Sequence, residues 1–328
     1  MTVATIAFFN NKGGVGKTSL LYHVAHAMAA FCETKVLVAD FDPQSNLTSF
    51  FLSDEKLDTL WTERRLDDRN GVETVHSALQ PLVDGEGGLK PVTPLRWGER
   101  LWLLPGDLSL SEFEDELSAQ WPRCLNGERR AFTVTCAFHS MIQQAAEAVD
   151  AQICFLDVGP NLGAINRSAL VASDFIVVPM GADLFSNRGI RNLGPKLAKW
   201  RSDWAQRIDQ APANMKDQLP TGRMLPLGFT LNVFNVYAGE PVRAFAEWMN
   251  RAPGAFAESV GRNDPQDRLS DIPNYQSLMP YAQRARKPIF ELRTADGVRG
   301  SHLNSARECG EHMVTLAAAI RQRIRQLA

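Results

Sequence analysis

A glycine-rich segment near the amino terminus constrains this 328-residue chain more than any other part of it. Residues 9–19 read Phe-Asn-Asn-Lys-Gly-Gly-Val-Gly-Lys-Thr-Ser. An apolar run, Val3 to Phe8, precedes the segment, and an apolar-periodic run, Leu20 to Ala30, follows it. Strand, glycine-rich loop and helix in this order can direct successive backbone N–H groups at a phosphate. An ordinary turn is the alternative, but glycines, two lysines and a threonine together favour a nucleotide-binding loop.

The residue types in this loop suit phosphate chemistry. Glycines tolerate positive φ and let the backbone approach phosphate oxygens closely. Lys17 can reach the β- and γ-phosphates, and the Thr18 hydroxyl can bind Mg²⁺. The usual P-loop pattern has a glycine five residues before Gly16, but that position is Asn11, and a second lysine, Lys12, precedes the glycine pair. The nucleotide-binding residues that we predict here are Gly13, Gly14, Val15, Gly16, Lys17, Thr18 and Ser19.

Carboxylates follow two later apolar runs. Lys35 to Ala39 predicts a strand that leads into Asp40 and Asp42, whose spacing places both side chains on one side of it. A turn is the alternative, because Asp-Pro and Ser-Asn pairs favour turns. Ile153 to Leu156 predicts a strand buried on both faces, with Asp157 at its end, where it can hold Mg²⁺ through water. Open α/β sheets bind ligands at this edge.

These motifs together resemble the deviant Walker A ATPases of the ParA/MinD family. Lys12-Gly-Gly-Val-Gly-Lys17-Thr18 resembles the family's Walker A box, and Asp40-Phe-Asp42-Pro-Gln resembles its Asp-x-Asp-Pro-Gln box. The resemblance implies ATP and Mg²⁺ as ligands, and a homodimer in which Lys12 reaches the partner's phosphates. It also implies that Asp42 orients the attacking water while Asp40 supports Mg²⁺. The predicted catalytic residues are Lys12, Lys17 and Asp42, and the predicted metal-binding residues are Thr18, Asp40 and Asp157.

Two later segments resemble the parts of the family that contact the nucleotide base. Leu225 to Val233 predicts a strand, and an asparagine near its end can present its amide to a purine edge. Asn232 is our prediction and Asn235 is the competing choice, while a turn role stays open for both. Pro273 and Met279 lie in a segment that resembles the one passing over the adenine, and we predict that they contribute to nucleotide binding.

The alternation of strands and helices predicts a doubly wound, mainly parallel α/β sheet of the P-loop NTPase type. We expect a single ATPase domain over residues 1–328, with insertions near 54–99 and 200–224. Within the first insertion, Asp54 to Asn70 reads as irregular.

Two further segments carry local signals. Ser111 and Glu114 match a capping box, which predicts the start of a helix at that point. Phe175 to Pro179 predicts another strand, and the stretch from Pro179 to Ile190 resembles the family segment that leads to a helix at the dimer face.

Composition limits the other classes of function. The formal net charge of −2 is close to neutral, so any DNA-binding surface has to be local. The five cysteines are scattered without a Cys-x-x-Cys pair, which favours reduced thiols in a cytoplasm and counts against an iron–sulfur site. No apolar run approaches the length of a transmembrane helix, and the amino terminus shows no signal-peptide pattern.

Charge is unevenly distributed along the chain. Residues 51–120 contain fifteen acidic and seven basic residues, which indicates a solvated face or a protein-partner surface. From Ala282 to the end, nine basic residues stand against four acidic ones. Three interpretations of the last helix stay open: a docked helix with solvated arginines, a phosphate-backbone surface, or a MinD-like membrane-surface helix. The predicted DNA-binding residues are Arg284, Arg286, Lys287, Arg321, Arg323 and Arg325.

The family resemblance implies a slow, partner-stimulated ATPase that converts ATP to ADP and phosphate. We expect a ParA-like switch with non-specific DNA binding, a ParB-like activating partner and a bacterial cytoplasmic location, in association with the nucleoid. The same switch could instead serve cargo positioning, control of secretion or cellulose synthesis, defence, or a membrane role. A metabolic ligase resembling dethiobiotin synthetase is the alternative from another class. The paired lysines and the Asp-x-Asp-Pro-Gln box favour the switch.

Overall fold

The computed structural model of the chain describes residues 3–62, 74–234, 236–237, 240–241 and 243–327. The helices in these residues are α1 Lys17–Phe31, α2 Asn46–Phe51, α3 Asp54–Thr62, α4 Val75–Val83, α5 Phe113–Arg123, α6 Arg129–Thr135, α7 Ala137–Val149, α8 Ala164–Val171, α9 Leu184–Gln210, α10 Arg243–Val260, α11 Met279–Ala285 and α12 Ser301–Leu327. The strands are β1 Ala4–Phe8, β2 Val36–Asp40, β3 Leu95–Arg96, β4 Leu101–Leu104, β5 Ile153–Asp157, β6 Phe175–Gly181, β7 Leu225–Phe234, β8 Val236–Tyr237, β9 Glu240–Pro241 and β10 Arg268–Pro273.

Eight of these strands form one mainly parallel sheet, in the order β10-β7-β6-β1-β5-β2-β4-β3. Strand β2 is parallel to both of its neighbours, β4 and β5, and β3 is antiparallel to β4 at the edge. All five residues of β2 and of β5 are buried, as expected for strands covered on both faces. The predicted fold class, a doubly wound and mainly parallel α/β sheet, is therefore confirmed.

The strands that carry the motifs begin and end close to the predicted positions. Their sequences are continuous apolar runs bounded by polar residues, a pattern typical of buried parallel strands. Strand β10 had no counterpart in the predictions. It pairs with β7, and only Leu269 and Ile272 of its six residues are buried, a weaker pattern than an apolar run.

The chain forms two compact units. The first consists of Met1–Ala7, Thr34–Ile176 and Leu197–Leu225. Its core includes Phe41 stacked on Phe138, with ring centroids 4.3 Å apart. The second consists of Phe8–Glu33, Val177–Lys196 and Pro226–Ala328. Its core includes Phe229 against Phe256, with centroids 5.0 Å apart. The single domain with insertions stays a prediction.

The segment from Asp54 to Asn70 was expected to be irregular, and this is wrong for its first half. Residues 54–62 form α3, while residues 63–70 lie outside the described residues. Ser53 accepts a hydrogen bond from the backbone N–H of Lys56 and so caps the helix. Asp54 and Glu55 in the first turn then complement the helix dipole.

The capping box predicted from Ser111 and Glu114 is also wrong. Ser111 lies inside a 3₁₀ turn, Leu108–Glu112, and its hydroxyl donates to the carbonyl of Leu108. Asp107 caps that turn by accepting from the N–H of Ser109. Glu114 instead extends to helix α8, as described below.

Within the second predicted insertion, α9 continues to Gln210 and a 3₁₀ helix follows at Ala213–Gln218. None of the helices described is both long enough and apolar enough to cross a bilayer.

Candidate active site

The glycine-rich loop ends where helix α1 begins. Gly14 has φ of 75° and Gly16, the residue before the helix, has φ of 78°, so both need the left-handed conformation that glycine adopts without strain. A Cβ atom on Gly14 would meet nothing within 4 Å, so backbone conformation rather than crowding selects glycine there. The first turn of α1 contains no acidic residue, and no described side chain caps it. Its first N–H groups and the helix dipole can therefore receive an anion.

Residues of the same unit surround this loop. Lys17 is buried at the first position of α1, and Thr18 and Ser19 are half-buried after it. The Ser19 hydroxyl lies 3.5 Å from Sδ of Met279. This contact brings Met279 to the first turn of the helix, beside the residues predicted to hold phosphate.

Asn232 supports the loop from strand β7. Its Nδ2 atom donates to the carbonyl of Val15 at 3.2 Å, and its Oδ1 atom accepts from the Thr230 hydroxyl at 2.8 Å. The amide of this buried residue thus contacts the loop backbone. Pro273 pairs with Phe234 at the end of β10, and Asn235, the competing choice, lies outside the described residues.

Lys12 is directed toward the segment between β6 and α9. Its Nζ atom donates to Oδ2 of Asp183 at 2.7 Å and lies 3.4 Å from the Ser186 hydroxyl. Ser186 in turn donates to Asp183 through both its N–H and its hydroxyl. Partial burial alone would raise the pKa of Asp183, but the hydrogen bonds from Lys12 and Ser186 hold that pKa below its usual value.

The loop backbone is fixed by a further residue that the sequence interpretation did not single out. Asn10 is buried, its Nδ2 atom donates to the carbonyl of Pro179, and its Oδ1 atom accepts from the N–H of Lys12. The backbone from which the Lys12 side chain extends is therefore held in place by Asn10.

In the first unit, Asp40 and Asp157 lie opposite each other in the register of β2 and β5, and both are fully buried. The Oδ2 atom of Asp40 accepts from the N–H of Thr48 at 2.8 Å and from its hydroxyl at 2.7 Å. Burial raises the pKa of Asp40, while these hydrogen bonds oppose the rise. Asp40 is thus the centre of a buried, hydrogen-bonded cluster.

Gly106, which follows β4, closes this cluster. Its N–H donates to the Thr48 hydroxyl at 2.7 Å, and its carbonyl accepts from the Trp61 indole of α3 at 3.3 Å. A Cβ atom on Gly106 would lie 2.8 Å from Cγ of Asp40 and 2.9 Å from the Ser45 hydroxyl. Only glycine fits there, a requirement that no local pattern in the sequence reveals.

Asp42 lies two residues after Asp40 and is almost fully buried. Its N–H donates to Oδ1 of Asp40, and its own Oδ1 atom accepts from the N–H of Gln44 at 3.0 Å. The loop after β5 approaches it closely, because a Cβ atom on Gly159 would lie 3.4 Å from Oδ1 of Asp42. The backbone N–H of Asp42 therefore joins this residue to the carboxylate of Asp40, and both carboxylates are buried.

The residues predicted to bind Mg²⁺ have suitable chemistry. Carboxylate and hydroxyl oxygens are the ligands that Mg²⁺ prefers, and Asp40, Asp157 and Thr18 supply only these. The two buried carboxylates stand side by side at the ends of adjacent strands, where a divalent cation would offset the cost of burying their charge. Thr18 belongs to the second unit, and the two aspartates belong to the first.

The predicted DNA-binding residues have different environments. Arg284 donates to the carbonyl of Asp296, and Lys287 forms an ion pair with the carboxylate of Asp296 at 2.9 Å. Arg286 ends α11 in a left-handed conformation with φ of 52°. On α12, a groove of about 400 Å³ is lined by Cys32, Ala318, Arg321, Gln322, Arg325 and Gln326.

Arg323 does not belong to this surface, so its prediction as a DNA contact needs correction. It is 4% exposed, and its guanidinium donates to Asp264 at 2.8 Å, to Asp267 at 2.9 Å and to the carbonyl of Leu227. The stripe of α12 that faces the body thus includes an arginine whose charge is neutralised inside the protein.

Comparison with known proteins gives one family. A family model described as an AAA domain matches residues 3–209. The chain is 30% identical over 215 residues to a putative replication protein A of Rhizobium rhizogenes. The aligned region covers 61% of this chain and 48% of that protein. It is 28% identical over 211 residues to the chromosome partitioning protein ParA of Caulobacter vibrioides, with 62% and 66% covered. The chain spans about half to three fifths of the length of the first relatives that it matches.

Solved structures extend the similarity to nearly the whole chain. A protein from Corynebacterium diphtheriae superposes with a TM-score of 0.72 and 27% identity, covering 98% of this chain and 99% of the other. An ATP complex of a McdA variant from Cyanothece gives a TM-score of 0.64 at 14% identity, covering 97% and 96%. At that identity the second comparison supports the fold alone.

Proposed function

We propose that this chain, which belongs to the ParA/MinD family of P-loop ATPases, is an ATP-driven dimerising switch of the partition type. In this proposal the ATP-bound form is a homodimer that binds DNA without sequence preference. Hydrolysis to ADP and phosphate returns it to monomers. The chromosome partitioning protein ParA among the relatives supports this role, and the family model spans the glycine-rich loop and the aspartates predicted to bind and hydrolyse the nucleotide.

The observation that carries the proposal is the different placement of the two loop lysines. Lys17 is buried at the start of α1, where it can serve phosphates held by its own loop. Lys12 is turned to Asp183 instead, so its ammonium is engaged by the β6–α9 segment. A lysine directed away from its own loop can reach the phosphates bound by a second protomer. There its ammonium would stabilise the negative charge that develops during phosphoryl transfer.

The nucleotide-binding roles follow from the loop and the strand ends. The backbone from Gly13 to Ser19 would bind the phosphates, with Lys17 on the β- and γ-phosphates. Asn232, Pro273 and Met279 would contribute on the side of the base, and the contacts of Asn232 and Met279 with the loop support that assignment.

Hydrolysis requires the acidic residues of the first unit. Thr18, Asp40 and Asp157 would hold Mg²⁺, which would neutralise charge on the phosphate oxygens when bound. Asp42 would orient the attacking water. The buried environment and the fixed hydrogen bonds of Asp40 and Asp42 support this role, because they hold the carboxylates in one arrangement.

DNA binding would use basic side chains near the carboxyl terminus. Arg321 and Arg325 line the groove on α12, and Arg284, Arg286 and Lys287 surround the end of α11. Arginines on a partly exposed helix face suit phosphate oxygens, whereas the acidic region around α3 and α5 does not. A ParB-like protein would raise the slow ATP turnover.

The test is fluorescence anisotropy of a labelled DNA duplex of arbitrary sequence, titrated with the protein in ATP, in ADP and without nucleotide. The proposal predicts binding in ATP alone, little dependence on sequence, and affinity that falls steeply with salt. Equal binding in all three nucleotide states, or no loss of affinity as salt rises, would remove DNA from the proposed function.

A further inference from the structure

Glu114 of helix α5 forms hydrogen bonds at the end of the loop that follows strand β5. One carboxylate oxygen of Glu114 accepts from the N–H of Ala164 at 2.5 Å, and the other accepts from the N–H of Ile165 at 2.8 Å. These are the first two residues of α8, so a side chain from a different helix caps it. A Cβ atom on Gly163 would lie 2.6 Å from Oε1 of Glu114, so a larger residue there would displace the Glu114 carboxylate.

The next residue of α8 fixes the remainder of the loop. Asn166 is 1% exposed, and its Nδ2 atom donates to the carbonyls of Gly159 and Asn161 at 2.9 and 2.8 Å. The side chain of Asn161 also accepts from the N–H of Gly163. Because α8 is capped by Glu114, the position of Asn166 and hence the path of Gly159 depend on α5.

Gly159 is where this loop reaches the hydrolytic carboxylate. Its hypothetical Cβ would lie 3.4 Å from Oδ1 of Asp42 and 3.5 Å from Nδ2 of Asn166. Hydrogen bonds therefore run from Glu114 to the start of α8 and from Asn166 of that helix to Gly159, which lies close to Asp42. All of these residues belong to the first unit.

Packing around Trp121 fixes the position of helix α5. The guanidinium groups of Arg167 and Arg207 both lie over the Trp121 ring of α5, at 4.3 Å and 4.1 Å from its centroid. Trp121 also stacks on Trp204 with centroids 5.8 Å apart. Since Arg167 lies on α8, the two helices are joined at a second point beside the Glu114 cap.

We propose that Glu114 is a positioning residue for ATP hydrolysis, acting through α8 and Asn166 on the loop that packs against Asp42. This inference rests on the proposed ATPase function. Glu114 supplies two charge-assisted hydrogen bonds to N–H groups that would otherwise lack partners at the start of α8. Without them the start of α8 is released, Gly159 no longer packs against Asp42 in one arrangement, and water is oriented less often. The glycine-rich loop, in the other unit, keeps its own contacts.

The experiment compares Glu114→Ala and Glu114→Gln with Asp115→Ala, an exposed acidic neighbour on the same helix. We expect Glu114→Ala to lower kcat about 10-fold, equivalent to about 1.4 kcal/mol of barrier, with the Kd for ATP within about twofold of wild type. Glu114→Gln, which keeps one oxygen acceptor, should recover part of the loss. Asp115→Ala should resemble wild type in both quantities. Asn166→Ala cuts the same connection one step further on, and its effect should combine less than multiplicatively with that of Glu114→Ala.

Hydrogen exchange over residues 159–165 is measured on the same proteins, because it reports on the loop without requiring turnover. We expect faster exchange than in wild type for both Glu114 variants. Exchange in Asp115→Ala should equal that of wild type. Unchanged exchange, or a kcat for Glu114→Ala equal to that of Asp115→Ala, would overturn the inference. A wild-type protein that binds but does not hydrolyse ATP would contradict the proposed function, and the exchange result would still decide whether Glu114 holds the loop.

Discussion

The Nζ atom of Lys12 lies 2.7 Å from Oδ2 of Asp183 in the same chain. About a third of each side chain is exposed, 34% for Lys12 and 37% for Asp183, so water screens the pair. Ion pairs of this kind contribute about 0.2–1 kcal/mol. The ion pair is thus strong enough to orient the Lys12 side chain. It is also weak enough for the Lys12 ammonium to leave Asp183 and bind a phosphate.

Asp183→Asn should strengthen ATP-dependent dimerisation. The change removes the charge that holds Lys12 but keeps an oxygen that can accept from the N–H of Ser186. Because each of the two protomers loses a pair worth at most about 1 kcal/mol, we expect the dimer dissociation constant to fall by up to about 30-fold. Sedimentation equilibrium in a non-hydrolysable ATP analogue gives this constant. Asp203→Asn removes an exposed ion pair with Lys199 and serves as the control. Weaker dimerisation of Asp183→Asn would show that Asp183 assists the dimer.

Gly106→Ala should destabilise the protein and reduce ATP turnover. The new Cβ would lie 2.8 Å from Cγ of Asp40, so the buried aspartate or the backbone has to move. Overpacking of this kind costs about 1–3 kcal/mol. Gly88→Ala is the matched control, since nothing lies within 4 Å of its added Cβ. Urea unfolding and ATPase rates would check both. Equal stability of the two variants would mean that the Asp40 cluster adapts to the extra methyl group.

Acid should destabilise the fold through two histidines of helix α1. Burial lowers the pKa of His23 to about 4 and that of His26 to about 3, from 6.5. The unfolded chain therefore binds more protons than the folded one below pH 6.5, and the stability present above this pH is lost as pH falls toward 4. Each histidine should cost about 2 kcal/mol between pH 7 and 5.

The pH effect is measured as the difference between wild type and His26→Gln in urea unfolding at pH 7 and pH 5. This difference cancels Asp40, whose raised pKa gives the opposite sign: its stability contribution is lost as pH rises. The variant should lose about 2 kcal/mol less than wild type on acidification. The same loss in both proteins would mean that His26 is not protonated on unfolding.

Arg323 and Arg325 should separate stability from DNA binding, although they lie two residues apart on α12. Arg323→Met removes one of the two arginines that pair with the buried carboxylate of Asp267, the other being Arg262, so we expect a loss of about 1.5–3 kcal/mol in unfolding free energy. Arg325→Ala, at an exposed position, should keep the stability and reduce the salt dependence of DNA binding by about one phosphate contact. Normal stability of Arg323→Met would contradict the buried ion-pair network.

The sequence predicted the parts of this protein that depend on local patterns. Strands such as Ile153–Asp157 are apolar runs. The loop from Lys12 to Ser19 combines residue types that few other structures require. Both could therefore be predicted from a short stretch of adjacent residues. Asn10, Asp183 and Glu114 could not, because their roles depend on partners that distant segments supply. Arg323 was misjudged for the same reason: its acidic partners lie 56 and 59 positions away.

The most direct test of the switch is the oligomeric state of the wild-type protein and of Lys12→Ala, measured by sedimentation velocity with ATP, ADP and a non-hydrolysable ATP analogue. Lys35→Ala, which removes an exposed lysine paired with Asp150, is the matched control. We predict that wild type and Lys35→Ala form dimers with ATP or the analogue and monomers with ADP. Lys12→Ala should bind ATP and stay monomeric. A Lys12→Ala protein that dimerises and hydrolyses ATP like wild type would contradict the account.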